Sequence, residues 1–155
     1  MKVNIICGGH ALSGYVNIDP LAKNAPDKIA ADFGNLDSLI HDSEATEILA
    51  AEVIQYIPFN SVPKVLENWV KKLRINGRIS VGGYDVTEAC KSYANKTCSL
   101  EDLNTLLYGD PSTPIATSSA ISMSFIKDTL ERFGLKILKQ RKNGHHILVE
   151  AVREK

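Results

Sequence analysis

No stretch of this chain approaches the roughly 18 consecutive apolar residues a membrane-spanning helix needs, so nothing here reads as a bilayer segment. Neither sign of charge is in excess. Lysine plus arginine and aspartate plus glutamate stand at 18 each, and no basic field argues for nucleic acid as a partner. Cysteine is scarce: Cys7, Cys90 and Cys98 are odd in number and contain no Cys-x-x-Cys, which argues against a disulfide framework and for reduced thiols at buried or half-buried positions. A cytoplasmic location is the default expectation. His145 and His146 lack metal-ligand spacing with His10 or His41 and read as strand-edge residues. No internal repeat or low-complexity segment is present. What remains is an ordinary globular composition, 44% apolar and 23% charged over 155 residues, read as one domain spanning 1–155.

The informative stretch runs from Val3 to Pro20. A short apolar run, Val3 to Ile6, meets Cys7-Gly8-Gly9-His10; a second run, Tyr15 to Ile18, ends on Asp19. In open parallel sheets ligands sit beyond the carboxyl ends of the strands, where a glycine turn brings backbone N–H groups close and a following carboxylate accepts ribose hydroxyls. The spacing of Gly8, Gly9 and Gly14 does not supply the Gly-x-Gly-x-x-Gly of a nicotinamide dehydrogenase.

Downstream, Lys28 to Asn35 reads as a short strand ending on Asp32, and Thr46 to Ala51 as a buried strand. Val62, Val65, Leu66, Trp69, Val70 and Leu73 fall on one helical face, with Asn60 or Ser61 as cap and Asn76-Gly77 as stop. Lys64, Glu67, Asn68, Lys71 and Lys72 make its solvated face. Arg78 to Val81 reads as a fifth strand, and the glycines at its exit, Gly82 to Asp85, permit close approach of a ligand or form a bulge. Ser99 and Asp102 open a helix as a capping box, and the loop from Asp110 to Ser119 is long enough to be a lid. A last helix spans about Ser122 to Phe133. Asn143-Gly144 then signals a hairpin between strands 135–140 and 145–152.

Asn4, Cys7, Gly8, Gly14, Tyr15, Val16, Asn17, Ile18 and Asp19 resemble the opening of compact class I S-adenosyl-L-methionine (SAM)-dependent methyltransferases, Leu-Asn-Leu-Gly-Cys-Gly followed by Gly-Tyr/Trp-Ile/Val-Asn-Ile/Val-Asp. Ile6 stands where that family has the first glycine of its loop. The resemblance implies a Rossmann-like, doubly wound, mostly parallel seven-stranded sheet with an antiparallel C-terminal edge strand. It also implies a SAM site: Cys7, Gly8, Gly9 and His10 cradle the cofactor, Asp19 holds its ribose, Asp32 and Phe33 its adenine, and Ala51 adds to the seat. Glu52 is then the candidate base and Tyr84 a hydrogen-bonding residue on the substrate side, acting on a small-molecule or glycan acceptor. Family polar residues are replaced by Glu52, Gln55 and Tyr56, and with Ile6 this keeps a second reading open, a methyltransferase-like binding module without turnover. The oligomeric state is not encoded in any of these motifs.

Spacing and resemblance disagree at one point. Only seven residues separate Cys7 from Tyr15, which by itself suits a hairpin better than a parallel crossover. Seven extended residues reach about 23 Å, just over the roughly 17 Å of a five-residue strand, so the crossover implied by the resemblance is possible.

Overall fold

Short β-branched runs account for the first strands: β1 is Lys2–Ile5, β2 Val16–Ile18 and β3 Ala45–Ala50. The computed structural model describes residues 1–155 and continues with α1 (Val62–Lys72), β4 (Leu73–Tyr84), α2 (Val86–Ala94), α3 (Leu100–Tyr108), α4 (Met123–Arg132), β5 (Leu135–Asn143) and β6 (His146–Arg153). The sheet order is β2-β1-β3-β4-β6-β5. β1 pairs in parallel with both β2 and β3, and β3 with β4; β6 runs antiparallel to β4 and β5, so an antiparallel hairpin closes this side of the sheet, with β5 outermost and the C-terminal strand β6, expected at the edge, lying between β4 and β5. The first crossover is therefore parallel despite having no helix.

The sheet has six strands, one fewer than expected. Residues 28–35 do not form a strand: Ile29 alone bridges to Ile18, accepting from the Asp19 N–H at 3.0 Å and donating to the Asn17 carbonyl at 2.7 Å. After that exchange the chain turns at Asp32, whose Oδ1 accepts the Gly34 N–H at 2.8 Å. Such an Asx turn ends any extended pairing.

Helix α1 buries the face its periodicity predicts, with Trp69 fully enclosed. The indole Nε1–H donates to the Phe33 carbonyl at 2.8 Å, and the two rings meet edge-on. Truncating a tryptophan so placed costs about 3–5 kcal/mol. Two details differ from the sequence reading. The helix stops at Leu73, which turns extended and pairs with Ala45; Asn76 and Gly77 lie inside β4, where the register with β3 shifts. Gly77 is required there by close approach, since a Cβ would fall 2.8 Å from the Arg74 carbonyl oxygen. Lys72, placed by helical spacing on the solvated face, is buried and held by Asp37 and Asp42 at 2.6 Å each.

α4 packs against β5 and β6, and α1 against β4 and α4. Ser122 caps α4, and the Ser99–Asp102 capping box opens α3 as expected. α2 follows directly from β4: Asp85 is its N-cap, accepting the Thr87 N–H at 3.0 Å. α2 packs on α3, and no residue of α3 is fully buried. No helix is long and apolar enough to cross a membrane.

Candidate functional site

The carboxyl ends of β2 and β3 border a cavity of about 600 Å³, which α1 closes from one side. Pro20 follows β2, Asp32 and Phe33 come from the turn after the Ile29 bridge, and Tyr56, Ile57 and Pro58 follow β3. Ile115, from the long loop 110–119, completes the wall. That loop is anchored at its far end, where the Ser118 and Ser119 N–H groups donate to the Gln55 carbonyl at 2.7 and 3.2 Å. Asp32 keeps Oδ2 free of any bond within the chain, and the Phe33 carbonyl is occupied by Trp69 while its N–H has no partner in the chain. Burial raises the pKa of the Tyr56 hydroxyl, so it stands here as a neutral hydrogen-bonding group.

The glycine half is arranged differently. Gly8, with φ of +73°, turns the chain, and its N–H donates to Asp19 Oδ1 at 3.1 Å. Asp19 is 1% exposed; its Oδ1 also accepts the Leu21 N–H at 2.9 Å, and its Oδ2 the Lys28 ammonium at 3.2 Å. Lys28 Nζ donates in addition to the Gly9 carbonyl at 2.6 Å. Ile6 lies outside the core, and its Cβ and Cγ2 come within 3.5 Å of where a Gly9 Cβ would stand. Burial first, and then the Asp19 charge, push the Cys7 thiol up to about 11, so this cysteine is a neutral spacer. Of the cofactor residues expected from the sequence, Asp32 and Phe33 therefore line the cavity, whereas Cys7, Gly8, Gly9, His10 and Asp19 do not.

Ala51 and Glu52 border a second cleft of about 340 Å³ with Arg141, Lys142 and His146. His146 joins the two residues expected on the substrate side: its Nδ1 lies 3.3 Å from Glu52 Oε1, and its ring stands 4.8 Å from that of Tyr84. By its position after the hairpin turn, His146 reads in the sequence only as a strand-edge residue. The Asn143-Gly144 turn fixes only the β5–β6 register, with His146 opposite Asn143; the pairing of His146 with Tyr84 belongs to β4 and β6, distant in the chain, and no local signal announces it. Gly82 and Gly83 let this corner close: Cβ atoms there would fall 2.6 Å from the Ala51 carbonyl oxygen and 2.6 Å from Ile54 Cγ2. No group of three or more His, Cys, Asp or Glu side chains is placed to hold a metal ion.

A helix-poor first crossover, parallel strands in this order and an antiparallel closing hairpin can be compared with known proteins. No family model and no curated protein matches the sequence. Solved structures do. A SAM-dependent methyltransferase from Archaeoglobus fulgidus is 11% identical, with a TM-score of 0.63 over 90% of this chain and 76% of that one. One from Mesorhizobium loti is 10% identical, with a TM-score of 0.64 over 98% of this chain and 90% of that one. The fold is that of the class I methyltransferases. A third methyltransferase structure, the 1,6-didemethyltoxoflavin-N1-methyltransferase of Burkholderia thailandensis, contains 1,6-didemethyltoxoflavin and S-adenosylhomocysteine. It is 9% identical, with a TM-score of 0.61 over 99% of this chain and 72% of that one. At such identities the likeness is one of architecture.

Proposed function

We propose that this chain is a SAM-dependent methyltransferase acting on a small-molecule or glycan acceptor, organised as one domain over residues 1–155. The observation that carries this reading is the cavity of about 600 Å³ on a class I methyltransferase sheet, with Asp32 and Phe33 at its edge. A free carboxylate oxygen beside an unpaired backbone N–H suits the amino group and adjacent ring nitrogen of adenine, and Tyr56, Ile57 and Ile115 supply apolar walls for its faces. In this proposal Cys7 to His10 hold the amino-acid end through their main chain, Asp19 faces the ribose, and Ala51 borders the reacting end. Bound there, the cofactor supplies an electrophilic methyl group on a sulfonium.

The protein's contribution is to hold a nucleophile in line with that methyl and to keep water away. Glu52 accepts a proton when the acceptor must be deprotonated, while Tyr84, its ring tilted against that of His146, donates to the acceptor. A second reading, a binding module without turnover, is favoured by the Ile6 side chain lying against Gly9.

Titration calorimetry with S-adenosylhomocysteine tests the proposal. Binding that weakens by about 1–3 kcal/mol in Asp32→Ala is expected. Absence of binding in the wild type and in Ile6→Gly would discard it.

A further inference from the structure

The carboxylate at the end of β2 is nearly saturated by the chain itself. A carboxylate offers about four acceptor positions. Asp19 Oδ1 spends two on the N–H groups of Gly8 and Leu21, and Oδ2 takes the Lys28 ammonium. A ribose diol presents two hydroxyls, so it finds too few acceptors while Lys28 is seated.

The seating of Lys28 is built into the fold. On one side of it the Asp27 carbonyl accepts from the Asn17 side chain at 3.2 Å; on the other, Ile29 exchanges both of its backbone bonds with Asn17 and Asp19. Pinned at both neighbours, Lys28 has its ammonium close to Asp19, and the Gly9 carbonyl at 2.6 Å holds it from the glycine loop. The Lys28 side chain is 18% exposed, so it closes this half of the site at the surface. The large cavity meets this region only at Pro20, and neither Asp19 nor the glycines reach it.

We propose that Lys28 determines what the site reads: while it bridges Asp19 and Gly9, the protein recognises an adenine base but not the ribose diol, and the diol is read only when Lys28 is displaced. The ligand class is adenine nucleosides and their 5′-substituted derivatives, discriminated by the base alone in the resting state. This rests on the cavity beside Asp32 and Phe33 being an adenine seat.

Adenosine and 2′-deoxyadenosine, titrated calorimetrically into the wild type and Lys28→Gln, test the idea, with thermal melting as the folding check. The wild type should bind the two nucleosides within about twofold of each other, and Lys28→Gln should favour adenosine by about fivefold or more, because a carboxylate freed of its cation then reads the missing hydroxyl. Should Lys28→Gln fail to melt cooperatively, Lys28→Ser carries the same expectation. A wild type that already prefers adenosine by about fivefold, or a folded variant whose preference matches the wild type's, overturns the role of Lys28. Loss of binding for both nucleosides in every folded form overturns the adenine seat itself, and with it this inference.

Discussion

Asn4 and Asn17 stand side by side on the parallel strands β1 and β2, both buried, with Asn4 Nδ2 donating to Asn17 Oδ1 at 2.9 Å. Asn17 then does what a crossover helix would otherwise do. Its Oδ1 accepts the Leu12 N–H at 2.8 Å, and its Nδ2 reaches the carbonyls of Leu12, Tyr15 and Asp27 at 3.1 to 3.2 Å. The connection between the strands has no internal secondary structure to satisfy its backbone, and one side-chain amide supplies the missing partners.

Asn17→Ala should therefore destabilise the protein beyond an ordinary polar deletion. It leaves the Leu12 N–H without a partner and the Asn4 amide with only its 3.5 Å bond to the His10 carbonyl, and about 1–3 kcal/mol is expected from the unsatisfied group. Urea unfolding measures this. A loss below about 0.5 kcal/mol would mean that water replaces the amide and the clamp is dispensable.

Lys72 is a structural cation. Burial pulls its pKa down, but hydrogen bonds to Asp37 and Asp42 outweigh this and hold it above the usual 10.5, while Lys72 in turn holds Asp37 below the usual 3.8. The stabilisation from Lys72 is complete below its unfolded value and is lost as pH rises through its folded value. That from Asp37 is complete above its unfolded value and is lost as pH falls through its folded value. Lys72→Met should lower the melting temperature most between about pH 5 and 9, with the difference from wild type shrinking on either side. A difference independent of pH would assign the effect to packing of the lysine stem.

Ile6→Gly should tighten S-adenosylhomocysteine binding by about threefold to tenfold, since it removes a branched side chain from against Gly9, at a cost of about 0.5–1 kcal/mol in stability from the added backbone freedom. Calorimetry and thermal melting together resolve the two effects. Equal affinity in both forms would show that Ile6 does not obstruct the loop.

The three thiols should differ in reactivity. Cys90 is exposed, whereas Cys7 is half-buried with a pKa pushed up to about 11. Contrary to the sequence reading, Cys90 fills no buried position. At about pH 8 an alkylating reagent should modify Cys90 well before Cys7, by a factor of about ten or more. Peptide mapping by mass spectrometry after timed quenching checks the order, and early labelling of Cys7 would show the loop to be open in solution.

Local signals carried much of this architecture. The α1 face from Val62 to Leu73, the Ser99–Asp102 capping box and the Asn143-Gly144 turn depend on neighbours within a few residues, so their chemistry is legible from spacing alone. That Asp32 and Phe33 stand together at the edge of a cavity was suggested only by the family resemblance, since the extended segment expected to carry them is a turn.

What only the tertiary structure decided depends on partners distant in the chain. A strand requires a neighbour along its length, and Lys28 to Asn35 finds one at a single residue, Ile29, because the proline-punctuated return from Asp19 and the turn at Asp32 leave no room for more. Lys72 looked solvated because helical spacing ignores the loop carrying Asp37 and Asp42 that folds over it. Asp19 looked free because nothing in its own segment announces that Lys28 is held beside it. Which polar residues stand at a strand's end can be read from sequence, since that depends on residue type and local order. Whether its polar groups are available cannot, because availability is a balance of hydrogen bonds that is fixed only when the rest of the chain has packed around them.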